Sequence, residues 1–214
     1  LDHWLGQGGA NSVEVIAHLG ASTALAVHSL HKQNAVHLDI KPANVLIRSD
    51  GSAVLLDFGL SYHAHYPDLL AEQLRKAVGS PAWMAPEQVV GVRGDPRSDI
   101  FAIGVMLYQL LTGKLPFGSP QTPGGLRQRM WMSPVPLRQH KPLLAPWLQE
   151  VVLRCLAPEA AQRYPSAAHL AFDLLHPDQV VITALCSSTP ASRKRWRNAA
   201  GGSSVCCEIG RAHV

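Results

Sequence analysis

Charge and aromatic rings are both scarce here. Asp, Glu, Lys and Arg make up 16 % of the 214 residues and Phe, Trp and Tyr only 6 %, whereas charge alone averages about 25 % in globular domains. With apolar residues at 47 %, a chain disordered throughout is excluded, because there is ample side-chain surface to bury. Long hydrophobic runs are missing too. The strongest, Ile100 to Leu111, is broken by Gly104 and Gln109 and falls short of the ~20 residues needed to span a bilayer, so no membrane-spanning segment is expected. The opening Leu1-Asp2-His3-Trp4 has no basic region followed by an apolar core, so it does not read as a secretory signal. It begins without Met, and the chain is read as cut from something longer.

Cysteine is nearly absent as well. Cys155, Cys186, Cys206 and Cys207 do not space out as a disulfide framework, which points to a reducing, cytoplasmic compartment. The net charge of +4 invites a nucleic-acid reading until it is located. Residues 1–186 balance at 14 basic against 14 acidic side chains. The excess comes from Arg193, Lys194, Arg195, Arg197 and Arg211 against Glu208. The body is neutral, and no nucleic-acid partner is expected.

Hydrophobic periodicity supplies the elements. Asn11 stands three residues before Glu14, a capping-box spacing, and apolar residues recur at Ile16, Leu19, Val27 and Leu30, predicting an amphipathic helix over 12–33. Residues 45–48 and 53–56 read as a β-hairpin about Asp50-Gly51. Arg97 to Thr112 is apolar on nearly every side, which predicts a helix buried all round and capped by Gly113, with Met106, Leu107 and Leu110 as core. Further helices are predicted over 146–156 and 166–175, with a weakly amphipathic stretch over 126–131. Beyond Pro177 periodicity decays. Residues 179–214 read as a disordered basic tail whose last residues are artefactual. His63 and His65 lack a third ligand in sequence and read as solvated rather than metal-binding.

A two-residue hairpin loop carries a chemical consequence. Centred on Asp50-Gly51, it places Val45 opposite Leu56 and Asn44 opposite Asp57, roughly 5 Å apart at Cα. An amide oxygen and a carboxylate facing one site suit Mg²⁺, which takes oxygen ligands and keeps several waters. Asp39 and Lys41 lie just upstream. One loop thus offers a proton acceptor, a cation and a metal ligand, which are parts for phosphoryl transfer.

His37-Leu38-Asp39-Ile40-Lys41-Pro42-Ala43-Asn44 resembles the catalytic loop of the protein kinases. Asp57-Phe58-Gly59 resembles their metal-binding triplet and Ala85-Pro86-Glu87 the end of their activation segment. In order and spacing, with Ser98-Asp99-Ile100-Phe101 heading the buried helix, these are similar to the C-terminal lobe of a bacterial-type serine/threonine kinase over residues 1–178. The resemblance implies an α+β, mainly helical fold in which a short β-hairpin carries the metal ligands. It implies Asp39 as acceptor of a protein Ser/Thr hydroxyl proton, Lys41 on the transferring phosphate of ATP, and Asn44 and Asp57 on Mg²⁺. His37, Phe58 and Gly59 become supports, Asp99 an anchor of the catalytic loop, Glu87 and Arg163 an ion pair, and Ser80 and Pro81 part of the substrate loop.

Lys41 and Gly79-Ser80-Pro81 imply the serine/threonine class, against Trp83, which is commoner among tyrosine kinases. Leu38 stands where many members carry an Arg that grips an activation-loop phosphate, so switching by loop phosphorylation is not expected. No Gly-rich loop, strand lysine or helix glutamate precedes Leu1. The N-terminal lobe is therefore an expected missing partner, and the fragment alone is expected to bind ATP poorly and to expose apolar surface. Two alternatives stand beside this reading: a pseudokinase or scaffold that binds a partner without transfer, and a small-molecule phosphotransferase.

Overall fold

The computed structural model describes residues 12–68, 70, 79–120 and 122–183. Asn11, Cys186 and the basic tail with Cys206 and Cys207 lie outside the described residues. Helix α1, Val13–His31, is capped by Ser12, whose side chain accepts from the Val15 N–H, so the cap falls one residue later than the Asn11–Glu14 spacing predicts. Helix α3, Arg97–Thr112, matches the predicted span and ends on Gly113 at φ +70. Helices α6, Pro146–Cys155, and α7, Ala167–Leu175, take the two later positions. Short helices α2, Pro86–Val89, α4, Pro123–Arg127, and α5, Leu137–His140, lie between them. The stretch expected to be weakly amphipathic splits into α4 and a 3₁₀ turn, Gln128–Met130.

The core forms around α3. Ile100, Phe101, Ile103, Val105, Met106 and Leu107 have no exposed surface, as a helix apolar on all sides requires. Helix α1 packs on α7 and α3, and α6 closes the other side. By length and composition α1, rather than residues 100–111, is the one helix apolar enough to cross a membrane among the described residues. Its packing makes it a core helix: Ile16, Ala17, Leu19, Ala21, Thr23, Ala24 and Val27 are buried against its neighbours.

Strand content is small. Strand β1, Ala35–Val36, pairs antiparallel with β4, Tyr62–His63, and β2, Val45–Ile47, with β3, Ala53–Leu55. The hairpin register corrects the sequence reading. Val45 pairs with Leu55, not Leu56, because the loop has three residues rather than two. Arg48 N–H donates to the Ser52 carbonyl and Gly51 N–H to the Arg48 carbonyl, with Gly51 at φ +82. That is the type I turn closed by a left-handed glycine, which adds one residue to the loop. Asn44 therefore faces Leu56, whose N–H donates to its carbonyl at 2.9 Å. Asp57 lies one position beyond, outside the ladder, so the hairpin does not set the two proposed ligands opposite each other.

Candidate active site

Burial of α3 fixes the site from below. Asp99, in its first turn and fully buried, accepts from the His37 N–H at 2.9 Å and the Leu38 N–H at 2.8 Å. His31, at the end of α1, lies 2.8 Å from the same carboxylate through Nε2. Those bonds hold an unusual backbone, since Leu38 sits at φ +66, a left-handed conformation that a branched side chain rarely adopts. On the carbonyl side Gln88 of α2 donates through Nε2 to the Leu38 oxygen at 2.9 Å. Both peptide groups of Leu38 are thus held by buried side chains from elements distant in sequence.

The next residue is Asp39, and this backbone determines where its carboxylate points. Oδ2 accepts from Lys41 Nζ at 2.7 Å and from Asn44 Nδ2 at 3.1 Å, while Oδ1 accepts from the Ser80 N–H at 3.0 Å. Lys41 Nζ also donates to Ser80 Oγ at 2.8 Å. One ammonium therefore links residues 39–44 to the segment beginning at Gly79. Asn44 donates to the Asp39 carbonyl as well, at 2.9 Å, which commits its amide nitrogen to Asp39 and leaves its oxygen for another donor or an ion.

His37 acts as a spacer. The Asp39 N–H donates to Nδ1 at 3.3 Å, so the ring proton resides on Nε2, which donates to the Leu56 carbonyl at 3.0 Å. The ring lies 5.0 Å from that of Phe58. Asp57, at φ +61, turns its exposed carboxylate to the Gly59 N–H at 3.2 Å. Leu46, Leu56 and Phe58 are apolar side chains left exposed.

Behind the site Arg163 uses all five N–H groups. It forms a bidentate pair with Glu87 at 2.6 and 2.8 Å and donates to the carbonyls of Ala157, Arg97 and Pro158. Ser98 Oγ donates to Glu87 at 2.7 Å, and the guanidinium lies 5.0 Å from the Phe101 ring centre. Residues 80–87 are thereby attached to the start of α3.

Asp39, Lys41, Asn44, Ser80, His37 and Asp99 are thus brought into one network. Pro81 lies beside Ser80 with its ring exposed, and Asp57, Phe58 and Gly59 border the network without bonding to Asp39. Three buried or half-buried polar side chains around the site escaped sequence reading. His31 and Gln88 reach the loop only through tertiary contacts. Arg129, 1 % exposed, donates to the carbonyls of Met84 and Leu126 and faces Phe117 at 5.6 Å, and burial without a carboxylate partner pushes it down to about 10. An Arg in a weakly amphipathic stretch carries no signal for that.

Residues 1–175 match the protein kinase domain family. The chain belongs to the protein kinases. It is 35 % identical over 169 residues to a serine/threonine-protein kinase, pkn2, of Myxococcus xanthus, covering 76 % of this chain and 20 % of that one. Pkn1 of the same organism is 39 % identical over 149 residues, 67 % of this chain and 21 % of the relative. PknB of Mycolicibacterium smegmatis is 30 % identical over 164 residues, 77 % and 26 %. This kinase chain is therefore of the bacterial serine/threonine type, and it spans about a fifth to a quarter of the length of the curated relatives it matches.

Proposed function

We propose that this chain supplies the hydroxyl-activating half of a serine/threonine protein kinase that transfers the terminal phosphoryl group of Mg·ATP to protein Ser or Thr. One observation carries the reading: the Asp39 carboxylate is held simultaneously by Lys41 and Asn44 of its own loop and by the Ser80 N–H of the facing segment. A carboxylate fixed on three sides is placed to accept a proton from an incoming hydroxyl, and general-base positioning of this kind contributes about 10² to 10⁴ in rate. Lys41 carries a positive charge beside that acceptor, where a transferring phosphate gains most from it.

Asn44 and Asp57 are the proposed magnesium ligands. The donor set fits: one amide whose nitrogen is already used on Asp39, and one exposed carboxylate, both hard oxygen donors. Bound there with ATP, the ion would neutralise phosphate charge. Two ligands from the chain suffice for Mg²⁺, which draws others from water and phosphate, and no cluster of three His, Cys, Asp or Glu side chains is needed or found among the described residues. Leu46, Leu56 and Phe58 suit an apolar cover from an N-terminal lobe. A cytoplasmic setting fits the free Cys155 thiol, which burial pushes up and makes inert.

The test is Mg·ATP-dependent phosphorylation of a generic Ser/Thr protein by the protein encoded in full, beside Asp39→Asn. Expected is transfer that falls at least 100-fold in the variant while nucleotide binding stays. A folded parent that binds nucleotide and transfers nothing would replace this reading with a partner-binding pseudokinase.

A further inference from the structure

Three contacts reach residues 60–68 from one short loop between α2 and α3. Arg93 donates through Nε to Asp68 Oδ2 at 2.8 Å and through Nη2 to the Leu60 carbonyl at 2.9 Å. Beside it Gly94, at φ +89, lies so near the Tyr62 ring that a Cβ there would be 2.7 Å from a ring carbon. The Arg93 and Asp68 side chains are only 14 % and 17 % exposed, so their attraction is less weakened by water and salt than that of a surface pair. The other Asp68 oxygen accepts from the Leu70 N–H at 3.2 Å.

The loop bearing Arg93 is itself anchored. Val92 N–H donates to the Glu87 carbonyl and Gly91 N–H to that of Gln88, and the Glu87 side chain is fixed by Arg163. Leu38, next to Asp39, contributes a buried apolar side chain instead of a cation. The charge that grips residues 60–68 therefore comes from the α2–α3 loop, and its counter-ion is encoded in the segment.

We propose that Arg93 is a positioning residue: with Asp68 as a permanent counter-ion it fixes residues 60–68, the stretch that follows Asp57-Phe58-Gly59. The placement then depends on no added phosphate. The effect on catalysis rests on the kinase reading above, whereas the effect on the segment does not.

The experiment uses the protein encoded in full, with Arg93→Gln, Asp68→Asn and the charge-reversed pair Asp68→Arg with Arg93→Asp. Amide hydrogen exchange is followed over residues 60–68 and over α3. Expected is exchange at least ten-fold faster in 60–68 for both single variants, no change in α3, and recovery of most protection in the reversed pair. The KM for protein substrate should rise several-fold with the KM for ATP unchanged, and phosphatase treatment should leave parent activity intact. Unchanged exchange in Arg93→Gln, equal acceleration in α3, or activity abolished by phosphatase would overturn the proposal. An inactive parent whose 60–68 protection still depends on Arg93 would sink the kinase reading and uphold the clamp.

Discussion

Arg163→Ala tests most directly how the segment behind the site is held. The Arg163 side chain has no exposed surface and Glu87 keeps 14 %, so truncation leaves a largely desolvated carboxylate with Ser98 Oγ as its remaining side-chain donor. Breaking a buried pair from one side costs about 3 to 5 kcal/mol, a large part of the roughly 5 to 15 kcal/mol that holds a typical domain folded. The carbonyls of Ala157, Arg97 and Pro158 lose their donor as well, which places the loss toward the upper end. For a chain of this size each kcal/mol moves the melting temperature by about 2 to 4 °C, so a loss of about 4 to 5 kcal/mol predicts a fall of about 8 to 20 °C by calorimetry. Arg163→Lys, which keeps the charge but loses the planar five-donor fork, should fall by less. Removing both charges with Glu87→Gln and Arg163→Met should recover a good part of the loss. A melting temperature for Arg163→Ala within about 2 °C of the parent would refute the reasoning.

Two further perturbations examine the core. Burial pushes the Tyr108 hydroxyl up to about 12, and it donates to the Val135 carbonyl at 2.9 Å. A raised folded-state value means the contribution is complete below the unfolded value near 10 and is lost as pH climbs toward 12. The difference in stability between parent and Tyr108→Phe should therefore shrink across pH 10 to 12, and a difference constant with pH would refute the assignment. Gly104 of α3 faces α6 so closely that a Cβ would stand 2.5 Å from Cys155 Cβ. Glycine to alanine within a helix normally gains up to about 1 kcal/mol, but overpacking costs about 1 to 3 kcal/mol. Gly104→Ala should lower the melting temperature by several degrees, and a more stable variant would contradict the close packing.

Much of the fold was legible because periodicity reports burial. The all-round apolar pattern of 97–112 predicts a helix with no solvent face, and α3 has those bounds with Gly113 closing it. The same reading passed over α1 as the longest apolar helix, since its apolar residues are interleaved with Ala, Gly and Ser rather than massed together. It also misplaced the hairpin by one residue. Asp50-Gly51 fits a two-residue loop and the end of a three-residue loop equally well, and hydrogen bonding at Arg48 and Ser52 decides between them.

The sequence by itself determined the chemistry on offer: Asp39, Lys41, Asn44 and Asp57 in a spacing that resembles one family, and a neutral body with its charge in the tail. Only the tertiary structure decided which of these meet. Asp39 joins Lys41, Asn44 and Ser80, while Asp57 stands outside that network. Likewise His31, Gln88, Arg93 and Arg129 gain their positions from partners tens of residues away. The physical reason is range. Periodicity and turn chemistry act over a few neighbouring residues, whereas a hydrogen bond such as Leu38 to Asp99 forms only after the core has brought distant segments to contact.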